Sequence, residues 1–170
     1  MRVASVVVSA SALAGSVLGD GNTIRNAMKT IGRDTAALGD AVSSWSGDLL
    51  GALPIVGKAG GLLVALKHGA HTADVSTPLS FDEALTVATA TGDLASTVNK
   101  TLDALVSARP KFDHLFVTPL ILITLDVQRG ASNDFSSKVV GKVPKELQSI
   151  ARQLIKGIDD NFGAAIDAYH

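Results

Sequence analysis

A chain of 170 residues with a formal net charge of −1 offers no electrostatic attraction to nucleic acid, and we predict no nucleic-acid partner. The sequence contains no cysteine, which excludes disulfides and a thiol nucleophile. Hydrophobic residues make up 46% of the chain but aromatic ones only 4%, so the apolar content is mostly Ala, Val, Leu and Ile. That composition suits closely packed helices.

The first 19 residues have the layout of a secretory signal peptide. Arg2 gives a positive start, an uncharged run continues up to Asp20, and small residues such as Ala14 and Gly19 offer cleavage sites. The run is shorter than the roughly 20 apolar residues of a membrane span and is diluted by serine. We predict a signal peptide at 1–19, a single domain at 20–170, no transmembrane segment and a secreted protein. A buried N-terminal helix is the alternative.

Two helices are expected in the first half of the domain. Apolar or small residues recur at alternating steps of three and four over 24–49, the spacing of one helix face. The stretch 47–54 contains glycine and proline and interrupts this pattern. A second helix is expected over about 55–70, although its three glycines lower the local helix propensity. A loop over 72–78 follows.

Three more helices are expected in the second half. Ser80 and Glu83 form a capping box that starts the third helix, which should end near Arg109. A fourth helix begins or kinks at Pro119, is irregular over 130–133, and has its inner face at Phe112, Phe116, Leu120, Ile123 and Val127. Pro144 occupies the first turn of the last helix. Five helices without a credible strand predict an all-α bundle.

Two clusters resemble functional motifs without meeting their requirements. The segment 51–58 has one residue too many between its glycines for a phosphate loop, and Ala59 stands where Ser or Thr is needed. His68 and His71 lie three residues apart with Asp74 nearby. A solvated helix end explains these two histidines better than a metal site, because a fixed third ligand is not evident. We therefore expect no metal and no cofactor.

The carboxylate pairs do not suggest an active site. Asp82 and Glu83 are adjacent, as are Asp159 and Asp160, and neighbouring residues on a helix point in different directions. Helix capping explains the first pair and an exposed face the second. The sequence therefore favours a protein that is not an enzyme. The sequon at 99–101 predicts glycosylation of Asn99, provided that this side chain faces solvent.

The apolar stripes of the five helices can form either a filled core or a cavity. A filled core is the default. However, the third and fifth helices would each be about 36 Å long or longer, which is long for a domain of this size. Small residues and hydroxyls, such as Ala88, Thr91 and Ala95, also interrupt the larger side chains. Such a lining can leave a tunnel that suits an acyl chain. Both interpretations stay open on the pattern alone.

A series of landmarks follows along the chain: VSSWSG at 42–47, PLSFDEA at 78–84, VNKTLDAL at 98–105, KFD at 111–113, KVPKEL at 142–147 and FGAAIDAY at 162–169. Their order resembles the fungal family of hydrophobic surface-binding proteins and cell-wall galactomannoproteins. The resemblance implies a secreted five-helix bundle with an elongated hydrophobic cavity. It also implies that the protein binds fatty acids, resides in the cell wall, or adsorbs to hydrophobic solids and recruits secreted polyester hydrolases.

Three functions are therefore open for these stripes. A carrier would enclose a fatty acid or another lipid, an adsorber would part its helices and lay them on a hydrophobic surface, and a structural or antigenic wall mannoprotein would need neither. For the carrier, we expect the lipid tail to contact thirteen side chains: Leu38, Val42, Trp45, Leu62, Leu66, Leu94, Val98, Leu102, Phe116, Leu120, Ile123, Leu154 and Ile158.

Overall fold

The fold of residues 20–170 is described by a computed structural model, and the signal peptide predicted at 1–19 lies outside these residues. The all-α prediction is confirmed, since residues 20–170 contain helices and no strand. The five long helices are α1 (Asp20–Ser43), α2 (Leu49–Val75), α3 (Phe81–Ser107), α5 (Thr118–Lys142) and α6 (Gln148–Tyr169). A short helix, α4 (Arg109–His114), and a 3-10 turn (Lys145–Leu147) connect the later ones.

The five long helices form a closed ring in which each packs mainly on two neighbours. The order around the ring is α1, α3, α6, α5 and α2, which then returns to α1. A ring of this kind encloses a central space that the inner faces of all five helices can line. The apolar stripes predicted for α1 and α3 face the inside of this ring.

Contacts near the helix ends give the helix directions. Gly21 lies against Glu83 at one end of the α1–α3 pair, and Gly39 lies against Thr101 towards the other, so these two helices are parallel. In the same way, α5 donates hydrogen bonds to α2 from Gln128 in its middle to Ala59 and from Lys142 at its end to Asp74. Helices α2 and α5 are therefore parallel to each other. Gly51 at the start of α2 lies against Trp45, and Gly69 near its end lies against Ile31, so both helices run opposite to α1.

A cluster of aromatic residues closes one end of the ring, which we call the aromatic end. The rings of Trp45 and Phe112 are 4.6 Å apart between centroids, and those of Phe112 and Tyr169 are 6.4 Å apart. Trp45 Nε1 donates to the carbonyl of Asp48 at 2.8 Å, and the Tyr169 hydroxyl donates to that of Leu105 at 2.6 Å. Burial raises the pKa of Tyr169 above its ordinary value. The Tyr169 bond joins the ends of α3 and α6, whereas the Trp45 bond lies within the loop between α1 and α2.

Helix caps explain where the observed boundaries differ from the predicted ones. Helix α2 begins six residues earlier than expected because the side chain of Asp48 accepts from the amide of Gly51 at 2.7 Å. It also continues through Pro54 and into the predicted loop at 72–78, where it ends at Val75. The capping box is confirmed: the amide of Ser80 donates to Glu83 at 2.8 Å, and the serine hydroxyl accepts from the amide of Glu83 at 3.3 Å.

The predicted register of the fourth long helix, α5, was wrong. Phe112 is buried, but it belongs to α4, and Phe116 is 91% exposed in the turn before α5, with a φ of 59°. Leu120, Ile123 and Val127 are also exposed. The buried face of α5 instead carries Ile121, Leu125, Gln128, Ser132, Phe135, Ser136, Val139 and Val140. Nor is α5 irregular at 130–133, where it continues as regular helix.

The last helix, α6, begins later than predicted. An ion pair with an additional hydrogen bond from Asn133 holds it to α5. Pro144 precedes the 3-10 turn, and α6 starts only at Gln148. Arg129 donates two hydrogen bonds of 2.7 Å to Asp159, and Asn133 adds a third of 2.7 Å. These donors lower the pKa of Asp159 to about 2. An exposed face was expected for Asp159 and Asp160; Asp160 is exposed, whereas Asp159 is half-buried and paired with Arg129.

Candidate functional site

All five long helices line one apolar cavity of about 310 Å³, which extends from the middle of the ring towards the aromatic end. This volume is within the range of about 300–1,000 Å³ that is typical of small-molecule sites. Most of the wall consists of Ile, Leu, Val and Phe side chains. The innermost ones are Ile31, Leu38, Ile55, Leu62, Leu66, Leu94, Val98, Leu102, Leu105, Ile121, Leu125, Phe135, Ile158 and Phe162.

The cavity wall is uncharged. Among residues 20–170, no Asp, Glu, Lys, Arg or His lines this space. The hydroxyl hydrogens of Thr35 and Thr101 are already used inside the fold: Thr35 donates to the carbonyl of Ile31 at 2.7 Å, and Thr101 donates to that of Thr35 at 3.0 Å. The wall can therefore hold a hydrocarbon tail, but it offers an ionised group no counter-charge.

Helix α5 contributes the polar part of the wall. Gln128, Ser132 and Ser136 are spaced by four residues, so they lie one above another on the same helix face, and all three line the cavity. Gln128 is only 4% exposed, and its Nε2 donates to the carbonyl of Ala59 on α2 at 2.7 Å. Its Oε1 is buried without a hydrogen-bond partner.

The cavity reaches solvent along the seam between α2 and α5, which we call the cavity mouth. Val56 and Gly60 of α2 line the cavity and are exposed, as are Leu120, Ile123 and Val127 of α5. A Cβ atom added at Gly60 would meet nothing within 4 Å, so the missing side chain leaves the mouth open. A lipid tail can pass here between apolar side chains.

The outer face of α2 is apolar as well. Leu49, Leu50, Leu53 and Val64 are 64%, 78%, 64% and 67% exposed, and Val56 connects them to the cavity mouth. Among the helices of residues 20–170, α2 alone is long and apolar enough to cross a membrane, with a mean hydropathy of 1.9 over 18 residues. Only 17% of that window is buried inside the ring. Helix α2 therefore presents apolar surface on two sides.

Nine of the thirteen residues expected along a lipid tail lie in the cavity wall. They are Leu38, Leu62, Leu66, Leu94, Val98, Leu102, Leu120, Ile123 and Ile158. Contact of these residues with lipid remains a prediction. Two of the nine, Leu120 and Ile123, stand at the cavity mouth and not in the interior.

The other four predicted residues lie elsewhere. Val42 is buried in the core outside the cavity wall, and Trp45 is held in the aromatic end against Phe112. Phe116 projects into solvent. Leu154 lines a separate space of about 90 Å³ between α3, α5 and α6 at the opposite end of the ring. The apolar stripes gave no means of separating these positions from the cavity wall.

The sequence analysis missed the polar wall of α5. From Leu125 the steps to Gln128, Ser132 and Phe135 are three, four and three, which is the spacing of one helix face. A glutamine and a serine at this spacing, between Leu125 and Phe135, were a usable signal that the inner face of the helix is partly polar. The face predicted for this helix contained only apolar residues and therefore did not include them.

The predicted glycosylation site is only partly accessible. Asn99 is exposed on α3, as its use requires. The hydroxyl of Thr101, the third residue of the sequon, is buried and donates to the carbonyl of Thr35. Glycosylation of Asn99 remains a prediction, and it would have to precede the packing of α3 on α1.

Comparisons with known proteins agree with this architecture. The chain has 23% identity to Afmp4p, solved in complex with palmitic acid, with a TM-score of 0.85 over 88% of this chain and 99% of that one. It has 22% identity to ligand binding domain 1 of the Penicillium marneffei MP1 protein, solved with arachidonic acids, with a TM-score of 0.85 over 89% and 99% of the two chains. These similarities establish the fold.

Sequence comparison establishes the family. The chain is 31% identical over 139 residues to cell wall mannoprotein 1 of Aspergillus fumigatus, which covers 82% of this chain and 48% of the relative. It thus spans about half the length of that curated relative. The family model described as hydrophobic surface binding protein A matches residues 21–141. The chain belongs to the hydrophobic surface binding protein A family.

Proposed function

We propose that this protein is a non-enzymatic carrier that takes up the tail of a fatty acid or a related single-tailed lipid into its ring cavity. The observation that carries the proposal is an uncharged cavity of about 310 Å³, lined by all five long helices and open along the seam between α2 and α5. Palmitic acid and arachidonic acids in the solved relatives support the same ligand class.

Burial of the tail supplies the binding energy. Each methylene removed from water contributes about 0.8 kcal/mol, so that a long tail can bind without strong polar contacts. The inner wall is rigid, because its side chains belong to the packed core. The mouth needs little rearrangement, since Gly60 has no side chain to move aside. The cost of organising the site before binding is correspondingly small.

Filling the cavity tests the carrier function. Val98 lines the cavity on α3, whereas Ser96 lies two residues away on the exposed side of the same helix. We expect Val98→Trp to weaken binding of a fluorescent fatty acid at least tenfold, because the indole occupies the space of the tail. The matched variant Ser96→Trp should bind like the unmodified protein. Circular dichroism and thermal unfolding check that both variants fold. Equal binding by the two folded variants would contradict the proposal.

We further propose that the protein acts outside the cell, free or in the cell wall. Its similarity to a cell wall mannoprotein and its family membership support this location. Fractionation of the source organism into cytosol, wall and medium tests it, and recovery in the cytosol alone would contradict it. Recruitment of a secreted hydrolase remains a prediction, tested by co-purification of a hydrolase with this protein. A purely structural role in the wall also remains a prediction, tested by retention of the protein in the cell-wall fraction after detergent washing.

A second function, adsorption to hydrophobic surfaces, is supported by the outer face of α2. We propose that the closed ring adsorbs through this face without parting its helices. Its leucines and valines are already exposed, so that no core needs to open. This differs from the opening mechanism expected from the sequence, in which the buried stripes make the contact.

Charged substitutions distinguish the two adsorption mechanisms. Leu53→Glu combined with Val64→Glu should greatly reduce the depletion of protein by hydrophobic beads if the outer face of α2 binds. Phe81→Glu combined with Leu85→Glu is the matched control, because these side chains are 55% and 48% exposed on α3. Adsorption through opened helices predicts the same depletion for both double variants. That outcome would contradict adsorption through α2.

A further inference from the structure

The cavity wall contains a hydrogen-bond acceptor that the protein leaves unused. Gln128 is 4% exposed, and its Nε2 donates to the carbonyl of Ala59 at 2.7 Å. Because a carbonyl can only accept, this contact fixes which end of the amide holds nitrogen. The other end, Oε1, is left buried with no partner. Such an orphaned acceptor costs free energy in the empty protein, and a ligand that donates a hydrogen bond to it recovers this cost.

The surroundings of Gln128 favour an uncharged partner. Ser132 and Ser136 add hydroxyls on the same face of α5 and line the same cavity. No ionisable side chain of the described residues lines this space, so that an ammonium or carboxylate head group would lose its hydration without gaining a counter-charge. Since an orphaned carbonyl oxygen only accepts, an ester or ether oxygen cannot satisfy it. An O–H group can.

We propose that the bound lipid has an uncharged head group with an O–H, and that this O–H donates a hydrogen bond to Oε1 of Gln128. This inference rests on the proposed carrier function and names the ligand chemistry of that site. Two sources have this chemistry, a long-chain fatty alcohol and a fatty acid in its protonated form. The site therefore prefers a neutral head group over the carboxylate and over a head group that only accepts hydrogen bonds.

The direct test compares hexadecanol with its methyl ether, which has the same tail and no hydroxyl hydrogen. Each competes with a fluorescent fatty acid for the full chain. The unmodified protein should bind the alcohol about five- to tenfold more tightly than the ether, the magnitude of one buried hydrogen bond. In Gln128→Leu this preference should fall to about one, because the acceptor is gone. Gln128→Met keeps an unbranched side chain of similar length and replaces the amide oxygen by a much weaker thioether acceptor, so it should also lose most of the preference.

Thr35→Val is the matched control. It removes a hydroxyl from the cavity wall, but that hydroxyl already donates to the carbonyl of Ile31. The preference for the alcohol should survive in this variant. A preference that disappears equally in Thr35→Val and in both Gln128 variants would overturn the assignment to Gln128.

The two ligand sources are separated by pH. Palmitic acid is titrated below and above the pKa of its carboxyl group, with hexadecanol as the reference at both values. Tighter binding of the acid at the lower pH, lost in Gln128→Leu, assigns the protonated acid as a ligand. Tight binding of the alcohol alone assigns the alcohol. Equal affinity of the alcohol and the ether in the unmodified protein, or no competition by either of them, would overturn this inference but leave the carrier intact, whereas failure of the fluorescent fatty acid itself to bind would overturn both.

Discussion

Replacement of Gly60 by leucine tests whether the seam between α2 and α5 is the route into the cavity. Gly60 is exposed, lines the cavity, and has no atom within 4 Å of the position of an added Cβ. Gly57 is also exposed and also has open space around it, but it does not line the cavity. The two positions lie one turn apart on α2, and they differ chiefly in whether they face the mouth.

Both leucine variants should gain stability. A leucine inside a helix is favoured over glycine by about 0.5–1 kcal/mol, and neither site imposes a clash that would offset this gain. At position 60 the new side chain can also fold over the apolar mouth. Full burial of a leucine contributes about 1.5–3 kcal/mol, so a half-covered one adds about 1 kcal/mol that a passing lipid must disrupt. Exchange should slow about fivefold.

The assay is stopped-flow displacement of a fluorescent fatty acid by an excess of unlabelled ligand. We expect Gly60→Leu to release the probe about fivefold more slowly than the unmodified protein, and Gly57→Leu to release it at the unmodified rate. Urea unfolding provides the stability comparison. Identical release rates for the two variants, both of them folded and no less stable than the unmodified protein, would refute the seam as the entry route.

The remaining predictions concern the ring itself. Gly39→Ala places a Cβ 2.7 Å from Oγ1 of Thr101 and 3.4 Å from its Cα, so urea unfolding should show a loss of about 1–2 kcal/mol despite the higher helix propensity of alanine. Asp159→Asn should cost about 1 kcal/mol at neutral pH, after discounting for a pair that is one third exposed to solvent. Because the folded pKa of Asp159 is depressed from 3.8 to about 2, this contribution is complete above pH 3.8 and disappears as the pH falls towards 2. A stability difference that persists unchanged at about pH 2 would show that the ionised carboxylate of Asp159 is not its cause. Tyr169→Phe removes the hydroxyl that donates to α3 at 2.6 Å, and thermal unfolding should show a loss of about 1 kcal/mol.

The helical class was predictable because most of the chain carries one strong signal. Helix α1 is buried at Ile24, Met28, Ile31, Thr35 and Leu38, which are the residues that the three-four spacing selects. The capping box of α3 was equally clear, since its two side chains act only on neighbouring backbone groups. Local signals of this kind depend little on tertiary context.

The register of α5 was not predictable from apolar spacing, because this helix is apolar on two sides. Residues 120–123 are all Leu or Ile, so more than one helical face fits the pattern. One side faces the ring, and the other forms the cavity mouth. In the second half, Gln128 and Ser132 occupy buried positions, which weakens the apolar signal where the true face lies.

The position of the cavity depended on packing between distant segments. Trp45 and Leu102 both belong to apolar stripes, yet one is fixed in the aromatic end by Phe112 and the other lines the cavity. The difference arises because α4 covers the end of the ring, and α4 was not predicted as a separate helix. Helix spacing identifies inward-facing residues, but it contains no information on which inward-facing residues leave a gap.

The most direct test of the carrier function is a titration of delipidated protein with saturated fatty acids of increasing tail length. If the ring cavity encloses the tail, binding saturates at a fixed stoichiometry, and the affinity rises about fourfold for each added methylene until the cavity is full. An affinity that does not change with tail length, or uptake that never saturates, would contradict a carrier function for this cavity.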